Sequence, residues 1–168
     1  GALGSGSGTA PTAPHECHDF KNHMFYAQDN TLTFSAPYDE NNFDPAGGAG
    51  AINVKEDIKG LKTFRDSMYI FCINSIHKLT GNTIEDFKLE PVSRNIGCIA
   101  PESIQEVGGD IIFLAQDGLR TVAGTDKIGD VQLGTISNPI QPRLDGIGAT
   151  TDTIYSCVVR KKNQYRIF

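Results

Sequence analysis

Apolar and polar positions alternate in four separate stretches of the chain, and a polar turn interrupts each stretch. Alternation with a period of two is typical of β-strands, and turn residues between two such runs predict a β-hairpin. The four predicted hairpins span Phe20–Phe34, Phe64–Leu79, Val107–Val122 and Thr150–Phe168. The third turn contains Asp117-Gly118, which is the strongest short hairpin signal in the sequence.

The hairpins recur at an even spacing. When the apolar runs are anchored at Met24, Met68, Ile111 and Ile154, successive anchors lie 44, 43 and 43 residues apart. A repeat of about 40–50 residues made of short antiparallel strands is typical of a β-propeller blade, which commonly has four strands. The remaining strands are then predicted at Ile58–Phe64 and Ser103–Val107 on the inner side, and at Phe87–Glu90 and Asp130–Leu133 on the outer side.

We therefore expect an all-β fold of antiparallel, β-propeller-like repeats of 43–44 residues. A β-sandwich of similar hairpins is the alternative, although its strands need not keep so even a period. Residues 1–14 are rich in Gly, Ser and Pro and are predicted to be a flexible lead-in or linker, followed by a partial propeller-like domain over residues 15–168. Because the chain lacks an initiator Met and stops within an alternating run, we expect it to be a fragment of a longer protein.

Charge and composition narrow the classes of function. The formal net charge of −5 argues against a surface that binds nucleic-acid phosphates, and the basic cluster Arg160–Lys162 is expected at a solvated hairpin tip. No apolar run approaches the roughly 20 residues that a membrane-spanning helix needs. The cysteines form no CxxC pair and no compact framework, which favours folding in a reducing compartment.

Two polar clusters resemble metal sites only superficially. His15, Cys17, His18 and His23 are of the residue types that bind zinc, but the spacing of helical HExxH and paired CxxC motifs is absent. The polar loop Asp39–Asp44 lacks the alternating ligands and the spaced Gly and Glu of a calcium loop. The sequence therefore assigns no metal-binding residue.

Catalytic motifs are also absent from the sequence. It contains no Gly-x-Ser-x-Gly elbow, phosphate-binding loop or dinucleotide fingerprint after a predicted strand. Asp29, Asp117 and Asp152 are explained as turn formers, whose short side chains bind the local backbone. We expect a protein that is not an enzyme, with no catalytic or cofactor-binding residues and no cofactor.

Several stretches between Phe64 and about Gly134 carry a resemblance to known proteins. These stretches are Phe64–Cys72, Asn74–Gly81, Pro91–Cys98, Ser103–Leu114, Asp117–Val122 and Ile128–Val131. They resemble structural proteins of tailed bacteriophages, particularly tail-nozzle and other tail or neck proteins with propeller-like domains. The resemblance covers a little over 40% of the chain and carries no catalytic motif.

The resemblance implies a structural component of a bacteriophage particle, in the tail or neck, that acts through subunit assembly. Its implied partners are other phage structural subunits in a homo-oligomeric ring, and its implied location is the virion after assembly in the bacterial cytoplasm. A glycan-binding propeller module of a host-recognition protein is one alternative, with stacking rings supplied by Tyr26, Tyr38, Tyr69 and Tyr155. A polysaccharide hydrolase or depolymerase is the other, and it requires two facing carboxylates.

Overall fold

The computed structural model describes residues 3–5, 8–123, 154–162 and 164–168, and this part of the chain is all-β, as predicted. Short 3₁₀-helical segments at Pro45–Gly47, Pro101–Ser103 and Arg160–Lys162 lie between strands. The strands, in chain order, are β1 Leu3–Ser5, β2 Glu16–Phe20, β3 His23–Gln28, β4 Thr31–Phe34, β5 Gly50–Asn53, β6 Ile58–Phe64, β7 Ser67–Cys72, β8 Ile76–Thr80, β9 Lys88–Ser93, β10 Gln105–Val107, β11 Asp110–Ala115, β12 Gly118–Thr121, β13 Ser156–Val159 and β14 Gln164–Ile167.

The described strands form four antiparallel sheets that follow one another along the chain. The first sheet has the order β1-β5-β4-β3-β2, the second β6-β7-β8-β9, the third β10-β11-β12 and the fourth β13-β14. All four predicted hairpins are therefore antiparallel strand pairs, and the predicted strand Ile58–Phe64 coincides with β6. The predicted strand Asp130–Leu133 and the beginning of the fourth repeat at 150–153 lie outside the described residues.

Two-residue turns join β2 to β3, β6 to β7 and β10 to β11. The turns are Lys21-Asn22, Arg65-Asp66 and Gly108-Gly109. Positive φ angles occur at Lys21 (49°), Asn22 (65°) and Arg65 (55°), and at Gly108 and Gly109. Two-residue hairpins need such left-handed backbone because it matches the twist of the flanking strands. The repeat is therefore visible in the backbone conformation of these turns as well as in the hydrophobic pattern of the sequence.

The central strand of the second sheet, β7, is buried on both faces, because all of its residues are buried. Met68 and Ile70 pack in one apolar cluster with residues of the first sheet, including Phe25. Phe71 points to the opposite side and packs against Phe113 of the third sheet, with ring centroids 5.2 Å apart. The second sheet is therefore enclosed between the first and the third.

The third sheet continues this serial arrangement. Ile111 and Phe113 of β11 face the second sheet, whereas Leu114 lies in a separate cluster against which Ile154, Tyr165 and other residues near the fourth sheet pack. Successive side chains of a strand point to opposite faces, so one strand contributes to two clusters. The described residues thus form a series of stacked sheets, and within them the series does not close into a barrel or a ring.

The outer face of the first sheet differs from the inner faces. Tyr26 and Gln28 occupy the positions that Ile70 and Cys72 occupy one repeat later, and both are only half-buried. The loop between β4 and β5 places Phe43 against the Tyr26 ring, with centroids 5.7 Å apart. This face is therefore more polar than the faces between sheets, and the chain's own loop covers part of it.

Phe71→Ala tests the double-sided burial of β7. Phe71 is fully buried between two sheets, so its loss removes apolar burial and leaves a cavity. We expect the free energy of unfolding to fall by about 3–5 kcal/mol in urea denaturation. The control is Ile73→Ala in the adjoining turn, where the side chain is 38% exposed and the expected change is below about 1 kcal/mol. Equal losses in both variants would contradict the serial packing.

Candidate functional site

The predicted His and Cys cluster lies on and beside the first sheet, where its histidines bind the backbone. His15 Nε2 donates to the Ile58 carbonyl (2.8 Å), and His18 Nε2 accepts from the Thr63 amide (3.0 Å). His23 Nδ1 donates to the Ser35 carbonyl (2.7 Å). Among the described residues, no group of three or more His, Cys, Asp or Glu side chains could hold a metal ion.

The acidic turn residues also bind locally. Asp117 accepts from the Arg120 guanidinium, with Nε at 2.7 Å, and these hydrogen bonds lower the pKa of the Asp117 carboxyl. In the Asp39–Asp44 loop, Asp39 accepts from the Asn41 amide (3.2 Å) and Asp44 from the Ala46 amide (3.0 Å). Such side chain to backbone bonds stabilise turns. Asp152 lies outside the described residues.

The four tyrosines considered as sugar-stacking residues are in different environments. Tyr69 is buried between sheets, and Tyr26 is half-buried against Phe43. Tyr38 is 83% exposed in the loop after β4, and Tyr155 is 58% exposed beside β13. Only Tyr38 and Tyr155 of these four are therefore exposed enough to stack on a sugar ring.

Hydrogen bonds between neighbouring sheets recur about one repeat apart in sequence. His18 binds the Thr63 amide across 45 residues, and the Thr63 hydroxyl donates to the Asp19 carbonyl across 44 residues. Between the second and third sheets, Arg65 donates to the Gly109 carbonyl across 44 residues. The first three sheets thus bind one another through contacts about one repeat apart, and we call these contacts the inter-sheet seams.

A carboxylate of the first sheet lies near a second carboxylate from a 3₁₀ segment. Glu16 of β2 and Glu102, in the segment Pro101–Ser103, line a small cavity of about 200 Å³ together with His18 and Lys62. Burial raises the pKa of Glu16, and the nearby Glu102 carboxylate raises it further. Glu102 could not be singled out from the sequence, because residues 86 positions apart give no local signal of proximity.

A larger polar cavity, of about 490 Å³, lies between the first and second sheets. The segment that connects β5 to β6 forms one wall, and strands β8 and β9 form the other. Val54, Leu89 and Pro91 supply apolar surface. The polar side chains that line it are Asn53, Lys55, Glu56, Ser75, His77 and Arg94.

Glu56, in the lining of this cavity, is held in place by hydrogen bonds. Its Oε2 atom accepts from the Asn74 amide (3.0 Å) and from the Ser75 hydroxyl (3.3 Å). Ser75 Oγ is also 3.3 Å from Nε2 of His77, and burial lowers the pKa of His77. In a hydrolytic triad the His lies between the Ser and the acid. Here Ser75 lies in the middle, so Glu56 does not orient His77 as a general base.

A β-bulge on β9 adjoins this cavity. The register between β8 and β9 shifts from Ile76 opposite Ser93 to His77 opposite Pro91, so Val92 is the extra residue. Pro91 is tolerated because β9 is the edge strand of its sheet. This site could not be found in the sequence, because its lining residues come from separate segments of the chain.

No protein-family model matches the chain, and no curated protein matches it in sequence. Within the described residues, none of the helices has the length and apolar character needed to cross a bilayer. The candidate sites therefore stand on their own geometry.

Acidification tests the two partly buried histidines His18 and His77. Burial lowers the pKa of both, so the unfolded chain binds protons more readily than the folded chain near pH 6. Because stability falls as pH decreases wherever the unfolded state binds more protons, we expect the free energy of unfolding to decrease from about pH 7.5 to about pH 5.5.

The comparison variant is His18→Gln/His77→Gln, measured by urea denaturation at each pH. Its loss of stability on acidification should be smaller than that of the wild type, because glutamine does not titrate. Glu16 has a raised pKa, so it contributes to the pH dependence of the free energy of unfolding with the opposite sign. Both proteins contain Glu16, so its contribution cancels when the two curves are subtracted. Parallel curves for the two proteins would show that these histidines do not cause the pH dependence.

Proposed function

We propose that the chain is a structural component of a bacteriophage tail or neck, built from propeller-like sheets and acting through subunit assembly. The observation that carries this proposal is the serial packing of the sheets, in which β7 is buried on both faces. The proposal also draws on the resemblance of residues between Phe64 and about Gly134 to phage tail and neck proteins.

Three features support a propeller-like interpretation of the stacked sheets. The second sheet is a four-stranded antiparallel meander in sequence order, as a propeller blade is. The first sheet contains the same meander, β2 to β5, with β1 added at its edge. Seam contacts between the first three sheets join residues 44–45 positions apart, so neighbouring sheets in this part of the chain come from successive repeats. A full ring would need additional sheets of the same kind.

A structural role without enzymatic activity agrees with the hydrogen bonds that the ionisable side chains form within the protein. His15, His18 and His23 bind backbone groups, and Asp117 binds Arg120. These contacts stabilise turns and seams, and they leave these groups little freedom to exchange protons with a substrate. The proposal therefore assigns His15, His18 and His23 to the fold.

The cysteines support assembly in a reducing host cytoplasm before the chain reaches the particle. All four cysteines lie in the described residues and are free thiols. Burial raises the pKa of Cys72 and of Cys98 to about 11 each, which keeps both thiols protonated and unreactive at neutral pH. Other phage structural subunits, and copies of the same protein in a ring, are the proposed partners.

Particle proteomics tests this proposal. Particles are purified on a caesium chloride gradient from a virus-producing culture that encodes the chain, and the particle band is digested for mass spectrometry. We expect peptides of the chain at a constant ratio to the capsid protein across the band, because a structural subunit has a set copy number. An abundant soluble host protein serves as the control for carry-over.

Recovery of the chain only in the soluble fraction would contradict a virion role. Light scattering on the full chain tests separately whether the chain forms a homo-oligomeric ring. A defined multiple of 18.2 kDa supports a homo-oligomer, whereas a stable monomer at high concentration contradicts self-assembly of this chain.

A further inference from the structure

The cavity of about 490 Å³ between the first and second sheets is lined by His77, at a position where the next repeat has an arginine. His77 of β8 points toward the first sheet, since its register partner Ile70 packs there. Arg120 stands 43 residues later and points toward the second sheet beside its register partner Phe113. Arg120 is 7% exposed, so the longer side chain is accommodated inside the fold there.

The polar side chains of the cavity include one that hydrogen bonds hold in place and others that are available to a ligand. Glu56 is fixed by the Asn74 amide and the Ser75 hydroxyl, so its carboxylate is aimed before any ligand arrives. Lys55 and Arg94 are exposed, and neither forms an ion pair among the described residues. Two available cations and one oriented carboxylate therefore line the same space.

We propose that this cavity binds an acidic sugar, meaning a sugar residue that carries a carboxylate beside its hydroxyl groups. The Lys55 ammonium and the Arg94 guanidinium would bind the sugar carboxylate, since charge-assisted bonds from Arg to a carboxylate are strong and directional. The Glu56 carboxylate would accept hydrogen bonds from ring hydroxyls, and the Asn53 amide would donate to them or accept from them. Leu89 and Pro91 supply the apolar surface that the C–H face of a sugar covers.

The mixture of charges argues against a simple anion site. A phosphate group would be attracted by Lys55 and Arg94 but repelled by Glu56, which faces the same space. A hydroxyl-rich monocarboxylate satisfies both charge types, because its hydroxyls donate to Glu56 while its carboxylate binds the cations. The cavity volume also lies in the range of about 300–1,000 Å³ typical of small-molecule sites. This inference does not depend on the virion role.

Titration of the full chain with sodium D-galacturonate tests the proposal by calorimetry or by saturation-transfer NMR. The matched probes are D-galactose, which has a hydroxymethyl group in place of the carboxylate, and inorganic phosphate. We expect galacturonate to bind most tightly of the three, and its binding to weaken as salt is added, because screening reduces the attraction to Lys55 and Arg94.

Two charge-neutralising variants locate the binding. Lys55→Gln and Arg94→Gln should each weaken galacturonate binding about tenfold, since each removes one charge-assisted bond. The control is Lys78→Gln, which removes one positive charge from the residue next to His77 on β8, where the side chain points to the opposite face. Lys78→Gln should leave the affinity within about twofold.

Circular dichroism and melting temperature confirm that each variant is folded before its binding is compared. Phosphate binding as tight as galacturonate binding would overturn the proposal in favour of a plain anion site. Equal loss in Lys78→Gln and Arg94→Gln would place the binding elsewhere and overturn it too. Undetectable binding of galacturonate at millimolar concentration by the folded wild type would also overturn it.

Discussion

The rest of the structure depends on the burial of a strand from both sides. Every residue of β7 is buried, so neither face of the second sheet can be left to water. A single small sheet cannot cover its own two faces, and burial of this kind requires a neighbouring sheet on each side. The first and third sheets meet that requirement through separate apolar clusters, and the alternation of Met68 to Cys72 sends successive side chains into one cluster and then the other.

Polar contacts then set the alignment of sheets that the apolar clusters bring together. Apolar packing has little directional preference, whereas the hydrogen bond from the Thr63 amide to His18 fixes which residues of β2 and β6 are neighbours. The cavity beside Glu56 lies between the same two sheets. Its lining includes His77, at a position where the next repeat has Arg120.

The strands could be predicted from the sequence because the side chains of a strand point alternately to opposite faces. Burial of one face or of both therefore leaves a recognisable pattern of residue types. The β7–β8 hairpin and the strand Ile58–Phe64 are examples, and so is the turn between β11 and β12, at Gln116-Asp117. The cavity could not be predicted, because Glu56 lies between β5 and β6, His77 lies on β8 and Arg94 follows β9. The structural role of His18 was equally hidden, since its partner Thr63 lies 45 residues away.

The even spacing of the seams has a consequence for how the chain finds its fold. Hydrogen bonds that join the first three sheets close loops of about 42–45 residues, from His15 with Ile58 to Gln116 with Asn74. The entropic cost of loop closure rises with the length of the loop, so it is similar for the two seams that join these sheets. The third sheet can therefore form on the second at about the entropic cost at which the second forms on the first.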